Sequence, residues 1–347
     1  MRSKLRIAII GCGSIGGLVH LRNLKKNKEA DIVALIDNSE KRLKEAHLLA
    51  STAEIHTSSE EFFKKGKSEA VIISTPPDSH CELAKSALSA GMSVYLEKPL
   101  GVNKTEGEAL VTLVRSINAT TMLGFNYRFN PVFIELRKAI EENIVGEIQC
   151  VRTIFTITEE HAKYDMRRKR PLNTVLSDLG SHHFDLLKHI FHLPVTSISN
   201  GNPVGKNHLV TASLNMLIAD RIPVQSYFNL GGALENRVEV FGSEGTLVAD
   251  RYRSLYLERQ SKHRRVWDFI SELRKIIYLP LHIPRYINYC LSTWGDPSYR
   301  VALDKFVHAA KERIPIKPDF EDGLYALRMV DAAEDAIRRN LTVKFNP

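Results

Sequence analysis

Leu5–Ile10 is a short, largely apolar run that ends on Gly11-Cys12-Gly13-Ser14-Ile15-Gly16, and a helix-periodic stretch from about Ile15 to Lys26 follows at once. Glycines at the first, third and sixth places of such a turn let the chain reverse tightly. They also let backbone approach whatever lies above it, and let the helix pack on the strand it has just left. The alternation continues with strand Ile32–Ile36, helix Lys41–Leu49, strand Ala70–Ser74, helix His80–Ala90 closed by Gly91, strand Ser93–Leu96, helix Lys104–Ser116 and strand Thr120–Gly124. Short strands that are apolar on both faces need cover on both sides, and intervening helices supply it. The reading is a doubly wound parallel sheet.

Beyond Gly124 the pattern changes. Asn130 caps a helix that Pro131 opens and that runs to Glu142. Strand-like stretches follow at Glu147–Thr158, Leu209–Ile218, Val224–Leu230, Arg237–Phe241 and Thr246–Ala249, joined by short turns such as Gly242-Ser243-Glu244-Gly245. Short turns join antiparallel neighbours. Helices are read at about Ser181–Phe191, Tyr299–Glu312 and Phe320–Arg339. The expected fold is α/β. Residues 1–124 form a Rossmann-type domain, and residues 125–347 form an α+β domain with a large, mainly antiparallel sheet. A chain of 347 residues is long for one core and comfortable for two.

Composition serves mainly to exclude. No apolar run approaches the roughly 20 residues that span a bilayer, and Met1–Lys4 leads directly into strand rather than into a signal peptide. A cytoplasmic location is expected. Cys12, Cys81, Cys150 and Cys290 show no close spacing, so neither a metal site nor a disulfide framework is expected. The formal charge is +8, and residues 251–275 hold eight Lys/Arg against three acids. A second basic run is Arg167-Arg168-Lys169-Arg170. Neither run lies on a nucleic-acid-binding motif, so no nucleic-acid partner is expected. A solvated face, an anionic small molecule or an anionic membrane surface are the readings left for them.

The glycine turn sits between strand and helix, the context in which G-x-G-x-x-G binds a dinucleotide: the helix N-terminus turns free N–H groups toward the pyrophosphate. The candidate contacts there are Gly11, Gly13, Ser14, Ile15 and Gly16. Asp37 ends the second strand, where a carboxylate takes the ribose hydroxyls of adenosine and repels a 2′-phosphate. NAD is therefore expected over NADP, although Lys41 and Arg42, one turn on, leave NADP open. Thr75-Pro76-Pro77-Asp78-Ser79-His80 follows the strand ending at Ser74, at the edge where such sheets bind ligands. Thr75, Pro76 and His80 are candidates on that ground, and a helix-capping proline turn is the plain alternative.

Glu97-Lys98-Pro99 at the end of a strand, Gly124–Pro131, Asp178-Leu179-Gly180-Ser181-His182-His183-Phe184-Asp185 and Gly242–Leu247 occur in this order after the fingerprint. Together they resemble the glucose–fructose oxidoreductase/inositol dehydrogenase family over nearly the whole chain. The resemblance implies a NAD(P)-dependent oxidoreductase with Lys98, Asp178 and His182 as the catalytic set, and with Glu97 and Lys98 beside the cofactor. It implies a sugar or polyol substrate and a homodimer or homotetramer. The residue chemistry fits. Oxidising a secondary alcohol needs a base for the hydroxyl proton, and histidine titrates near working pH. A lysine can polarise the reacting oxygen. Asp178, four residues before His182, is placed to orient the imidazole.

Other assignments stay open. His183 is the alternative base. Tyr127 and Asp185 either line the substrate site or pair and pack; Arg128 either holds a substrate anion or makes a structural bridge. The basic runs, Arg167 included, suggest an anionic substrate such as a uronate, sugar phosphate or nucleotide sugar. A transient-redox glycosidase and a catalytically silent sensor are the competing functional classes; retention of Lys98, Asp178 and His182 argues against the sensor. Residues 261–294 depart from the family pattern in being basic and aromatic. Pro280 and Pro284 are expected to break that segment, which is read as a lid or subunit contact, with a membrane surface as the third choice.

Overall fold

The computed structural model describes residues 3–65, 67–117, 119–160, 174–201, 210–263 and 269–345. The first sheet joins β1 (Leu5–Ile10), β2 (Ala30–Ile36), β3 (Glu54–His56), β4 (Ala70–Ile73), β5 (Ser93–Leu96) and β6 (Thr121–Leu123) in the order β3-β2-β1-β4-β5-β6. Every neighbouring pair in it is parallel. The chain winds outward from β1 to β3, then returns to β4, so the winding reverses between β1 and β4. Helices leave that point in opposite directions and open a crevice at the carboxyl ends of the two strands. The central strands are apolar because both faces are covered: Ile7, Ile9, Val71, Ile72 and Val94 have no exposed surface. Each such side chain contributes about 1.5–3 kcal/mol relative to exposure.

The second sheet joins β7 (Ile148–Thr156), β8 (Val195–Asn200), β9 (Thr211–Ile218), β10 (Ile222–Asn229), β11 (Glu235–Gly242), β12 (Gly245–Asp250), β13 (Glu258–Ser261) and β14 (Val343–Lys344). The order is β13-β12-β11-β7-β10-β9-β8-β14. The pairing is antiparallel throughout except between β7 and β10. Period-two burial identifies the packed face. Ala212, Leu214, Met216 and Ile218 of β9 stand opposite Phe228, Ser226, Val224 and Ile222 of β10, all buried.

Two compact units result: Met1–Asn126 with Leu291–Leu327, and Tyr127–Cys290 with Arg328–Pro347. The sequence reading placed everything after Gly124 in one domain, whereas Leu291–Leu327 returns to the first unit. The ring of Phe306, on the Ser298–Glu312 helix, meets Tyr95 edge-on at 5.6 Å. Phe320, Leu324 and Leu327 enter one core with Leu100, Leu110 and Leu123. Apolar periodicity tells which face a helix buries, not which sheet it buries it against.

Three further differences have local causes. The expected helix from Ile15 to Lys26 is a wide, i→i+5 stretch over Ser14–His20 that tightens to an α-turn at Leu21–Leu24. Its paired glycines, Gly16 and Gly17, favour α-helix poorly. Strand β8 has no clear apolar pattern in the sequence, because Thr196, Ser197 and Ser199 interrupt it; its neighbours β9 and β14 make it a strand. Phe269–Leu291 is one helix with Pro280 and Pro284 inside it, contrary to the expected breaks. Each proline removes one N–H and crowds the carbonyl four residues back. A spacing of four puts both losses on one side of the helix, where the backbone accommodates them together.

Candidate functional site

In the first unit the site is built on the carboxyl ends of β1, β2, β4 and β5. Gly11 has φ +89°, and a Cβ there would lie 2.6 Å from the Ser74 carbonyl oxygen. A Cβ on Gly16 would lie 1.8 Å from the oxygen of Gly11. Both positions therefore require glycine. Gly13 stands at the mouth of the wide helical stretch that Ser14 and Ile15 begin. Wide helical turns recur at ligand sites, and this one points its N-terminus over the turn.

Asp37 is 6% exposed. Its Oδ2 accepts from the Cys12 N–H at 2.8 Å and its Oδ1 from the Ser39 N–H at 2.8 Å. Each oxygen keeps a further lone pair, so the carboxylate can hold two ribose hydroxyls while staying locked to the glycine turn. Turn, helix start and carboxylate fit NAD. Burial, and then the Asp37 carboxylate, push the Cys12 thiol up to about 12, so it stays protonated and inert.

Arg42 Nη1 lies 3.8 Å from Asp37 Oδ1. Removing the carboxylate frees that guanidinium for a 2′-phosphate. Asp37→Ser is accordingly expected to shift the NADP-to-NAD preference by about tenfold or more toward NADP, one charge-assisted pair being exchanged for another. Titration calorimetry with both cofactors checks this, and an unchanged affinity ratio rejects it.

Thr75 and Pro76 follow β4, where Ser79 Oγ donates to Thr75 Oγ1 at 2.7 Å and faces the Pro76 carbonyl at 2.8 Å. His80 is buried, its ring nitrogens facing the carbonyls of Pro99 at 2.6 Å and Thr75 at 2.9 Å. It is a strut between the loops after β4 and β5. Glu97 Oε1 lies 2.7 Å from Nε2 of the fully buried His20. A Cβ on Gly124 would come within 2.8 Å of the Glu97 carboxylate. His20 and Gly124 thus fix Glu97, a role the sequence reading did not assign to either. Lys98 follows at the strand end, half-buried, before Pro99.

In the second unit, Asp178 lies half-buried on another wide stretch, Leu176–Gly180, which feeds the Ser181–Phe191 helix. That helix brings His182 against Tyr127, ring on ring, with centroids 4.1 Å apart and planes 14° from parallel. The guanidinium of Arg251 sits 4.3 Å over the Tyr127 ring. The result is a stack of Arg251, Tyr127 and His182. In the sequence Arg251 is one of a basic run; the turn after β12 is what carries it over the Tyr127 ring.

His183 goes elsewhere. It has no exposed surface, contacts Ser226 Oγ at 2.9 Å and Thr153 Oγ1 at 3.3 Å, and meets Phe155 and Phe228 edge-on. Burial pulls its pKa down to about 3, so it stays neutral. Arg128 and Asp185 find each other: Nε to Oδ2 at 2.8 Å and Nη2 to Oδ1 at 2.5 Å, both side chains buried. Of the two readings open for Arg128, this two-pronged bond favours the bridge. The Arg167–Arg170 run lies outside the described residues. Among the described residues no cluster of His, Cys, Asp or Glu could hold a metal. No described helix is long and apolar enough to cross a membrane.

Comparison with known proteins covers both parts of the chain. The model of an oxidoreductase family with a NAD-binding Rossmann fold matches residues 5–125, and that family's C-terminal α/β domain matches residues 137–345. The inositol 2-dehydrogenase of Rhizobium meliloti is 25% identical, over 95% of this chain and 96% of its own. The myo-inositol 2-dehydrogenase of Thermotoga maritima is 25% identical, over 98% of both chains. The WlbA dehydrogenase from Bordetella pertussis, solved with NADH and UDP-GlcNAcA, superposes with a TM-score of 0.82 at 19% identity, over 100% of this chain and 99% of that one. The myo-inositol 2-dehydrogenase from Lactobacillus plantarum gives 0.81 at 18%, over 99% and 100%.

Proposed function

We propose a substrate class and residue roles on the premise that this chain belongs to the Gfo/Idh/MocA oxidoreductase family, whose NAD-binding Rossmann domain precedes an α/β domain. Membership makes it a nicotinamide-dependent oxidoreductase of the inositol and sugar dehydrogenase type, acting on CH–OH groups. NAD, when bound, supplies the acceptor for the hydride that leaves the carbinol carbon. In our reading the imidazole of His182 takes the hydroxyl proton as the carbon–oxygen double bond forms, and returns it in the reverse direction. The ammonium of Lys98 donates a hydrogen bond to the same oxygen and stabilises charge developing there. Asp178 orients His182, and Tyr127 holds the imidazole flat against its ring.

The substrate we favour is an anionic sugar: a uronate, a sugar phosphate or a nucleotide-linked sugar. Arg251 carries this reading, because a half-buried guanidinium in the stack with Tyr127 and His182 is a pre-positioned, pre-oriented cation. The likeness to WlbA, solved with a nucleotide sugar acid, supports it. The deciding experiment is turnover on a panel of inositols, uronates, sugar phosphates and nucleotide sugars with NAD. An anionic sugar should be the best substrate, with kcat/KM falling as ionic strength rises. Arg251→Gln should raise its KM by about tenfold, the loss of one charge-assisted contact, with the KM for NAD unchanged. A neutral polyol as best substrate, indifferent to salt and to Arg251→Gln, rejects the anionic class and leaves the reaction standing.

A further inference from the structure

The helix Phe269–Leu291 packs the wrong way round for a water-soluble surface. Three of its polar residues, His282, Arg285 and Tyr289, face its own unit. The His282 ring stacks on Tyr256 at 4.6 Å, and Arg285 donates to the Leu255 carbonyl at 2.5 Å and pairs with Glu135. The Tyr289 hydroxyl reaches Asn130 Oδ1 at 3.4 Å. Among its described side chains the apolar ones face outward: Leu273, Ile277, Leu281, Ile283 and Ile287 are 41, 61, 70, 51 and 49% exposed. A helix that merely borders a core does the reverse. Specific polar contacts hold this one apolar side up, so rotation cannot hide the stripe.

We propose that this face lies on an anionic membrane surface, with the helix axis in the plane of the headgroups. This does not depend on the identity of the substrate. Three observations choose a bilayer over a second copy of the chain. First, charge: in sequence the helix carries Arg274 and Lys275 against Glu272, residues 251–275 hold an excess of five positive charges, and the chain carries +8. A two-fold contact through this face would set the basic stretch against its own copy, whereas an anionic leaflet neutralises it. Second, backbone: Pro280 and Pro284 leave the carbonyls of Ile276 and Pro280 without their helical N–H donors. The wet headgroup layer supplies donors that the dry centre of a protein interface does not. Third, form: 23 helical residues extend about 34 Å with the described aliphatic side chains on one side, and no described helix is long and apolar enough to cross a bilayer. A long one-sided stripe in a basic stretch of sequence is the pattern of a helix that lies in the interface.

The test is co-sedimentation of the full chain with vesicles of phosphatidylcholine mixed with phosphatidylglycerol, and with phosphatidylcholine alone. The protein should sediment with the mixed vesicles, weakly or not at all with the neutral ones, and less as salt is added. Ile277→Asp combined with Leu281→Asp alters two outward-facing side chains and should lower partitioning by about tenfold or more, since apolar burial drives interfacial binding. NADH binding should stay unchanged, which certifies the fold. Arg274→Glu with Lys275→Glu should weaken binding and flatten its salt dependence. Failure of the wild-type chain to sediment with mixed vesicles overturns the proposal, as does sedimentation that the aspartates leave untouched. Light scattering adds an opposing outcome: a lower solution mass for the aspartate variant, with no vesicle binding by the wild type, assigns the face to a second copy.

Discussion

His182→Ala is expected to lower kcat by about 100-fold or more, roughly 2.7 kcal/mol of barrier, the range for a positioned acid–base group. Lys98→Ala should fall in the same range. NADH affinity should survive both, since the glycine turn and Asp37 are untouched. His183→Ala gives the contrasting result: it removes a ring that is wholly inside the core, so it should cost stability first and turnover only as a consequence. The pH dependence separates the two as well. The folded pKa of His183, about 3, lies below its ordinary 6.5. Its contribution to stability is therefore complete above 6.5 and is lost as pH falls from there toward 3, because the unfolded chain takes up the proton first. Thermal melts of the wild type across that window should steepen relative to His183→Gln. Near-normal turnover in His182→Ala, with loss in a still-folded His183→Ala, would reverse the assignment.

How far the sequence could lead depended on whether a feature was local. The glycine turn, Asp37 at a strand end, Lys98 before proline and the Asp178–Asp185 segment are each set by neighbours a few residues away, and all were legible. So was the parallel sheet, because strands covered on both faces must be apolar throughout. What escaped was non-local. His20 matters through Glu97, 77 residues on, and nothing in the run Gly17–Leu21 marks that histidine. Arg251 meets Tyr127 only because the turn after β12 brings it there. The return of Leu291–Leu327 to the first unit was equally hidden, since a helix pattern carries no address. The Phe269–Leu291 helix shows the opposite failure: a strong local rule about proline yielded to the spacing of two prolines on one side.

Arg128→Leu is expected to destabilise the fold by about 3–5 kcal/mol, the cost of leaving a buried carboxylate without its partner. Asp185 is 1% exposed and Arg128 7%, so neither charge has bulk water to fall back on. In a unit of this size the melting temperature should drop by roughly 10 °C. The bond is a two-pronged fork, with Nε and Nη2 of Arg128 on separate oxygens of Asp185, so Arg128→Lys should recover only part of the loss: an ammonium supplies the charge without the planar pair. Arg128→Leu combined with Asp185→Leu should be more stable than Arg128→Leu alone, because a buried pair exchanged for apolar groups of similar volume costs far less than half a pair. Kinetics then separates bridge from substrate ligand. A bridge predicts that residual folded Arg128→Leu keeps its KM for the sugar, since the Arg251–Tyr127–His182 stack does not include Arg128. A ligand role predicts the opposite split: little change in melting temperature and a KM raised at least tenfold, as one charge-assisted contact is lost. The geometry favours the first outcome, because the guanidinium edge that would grip a substrate carboxylate already grips Asp185.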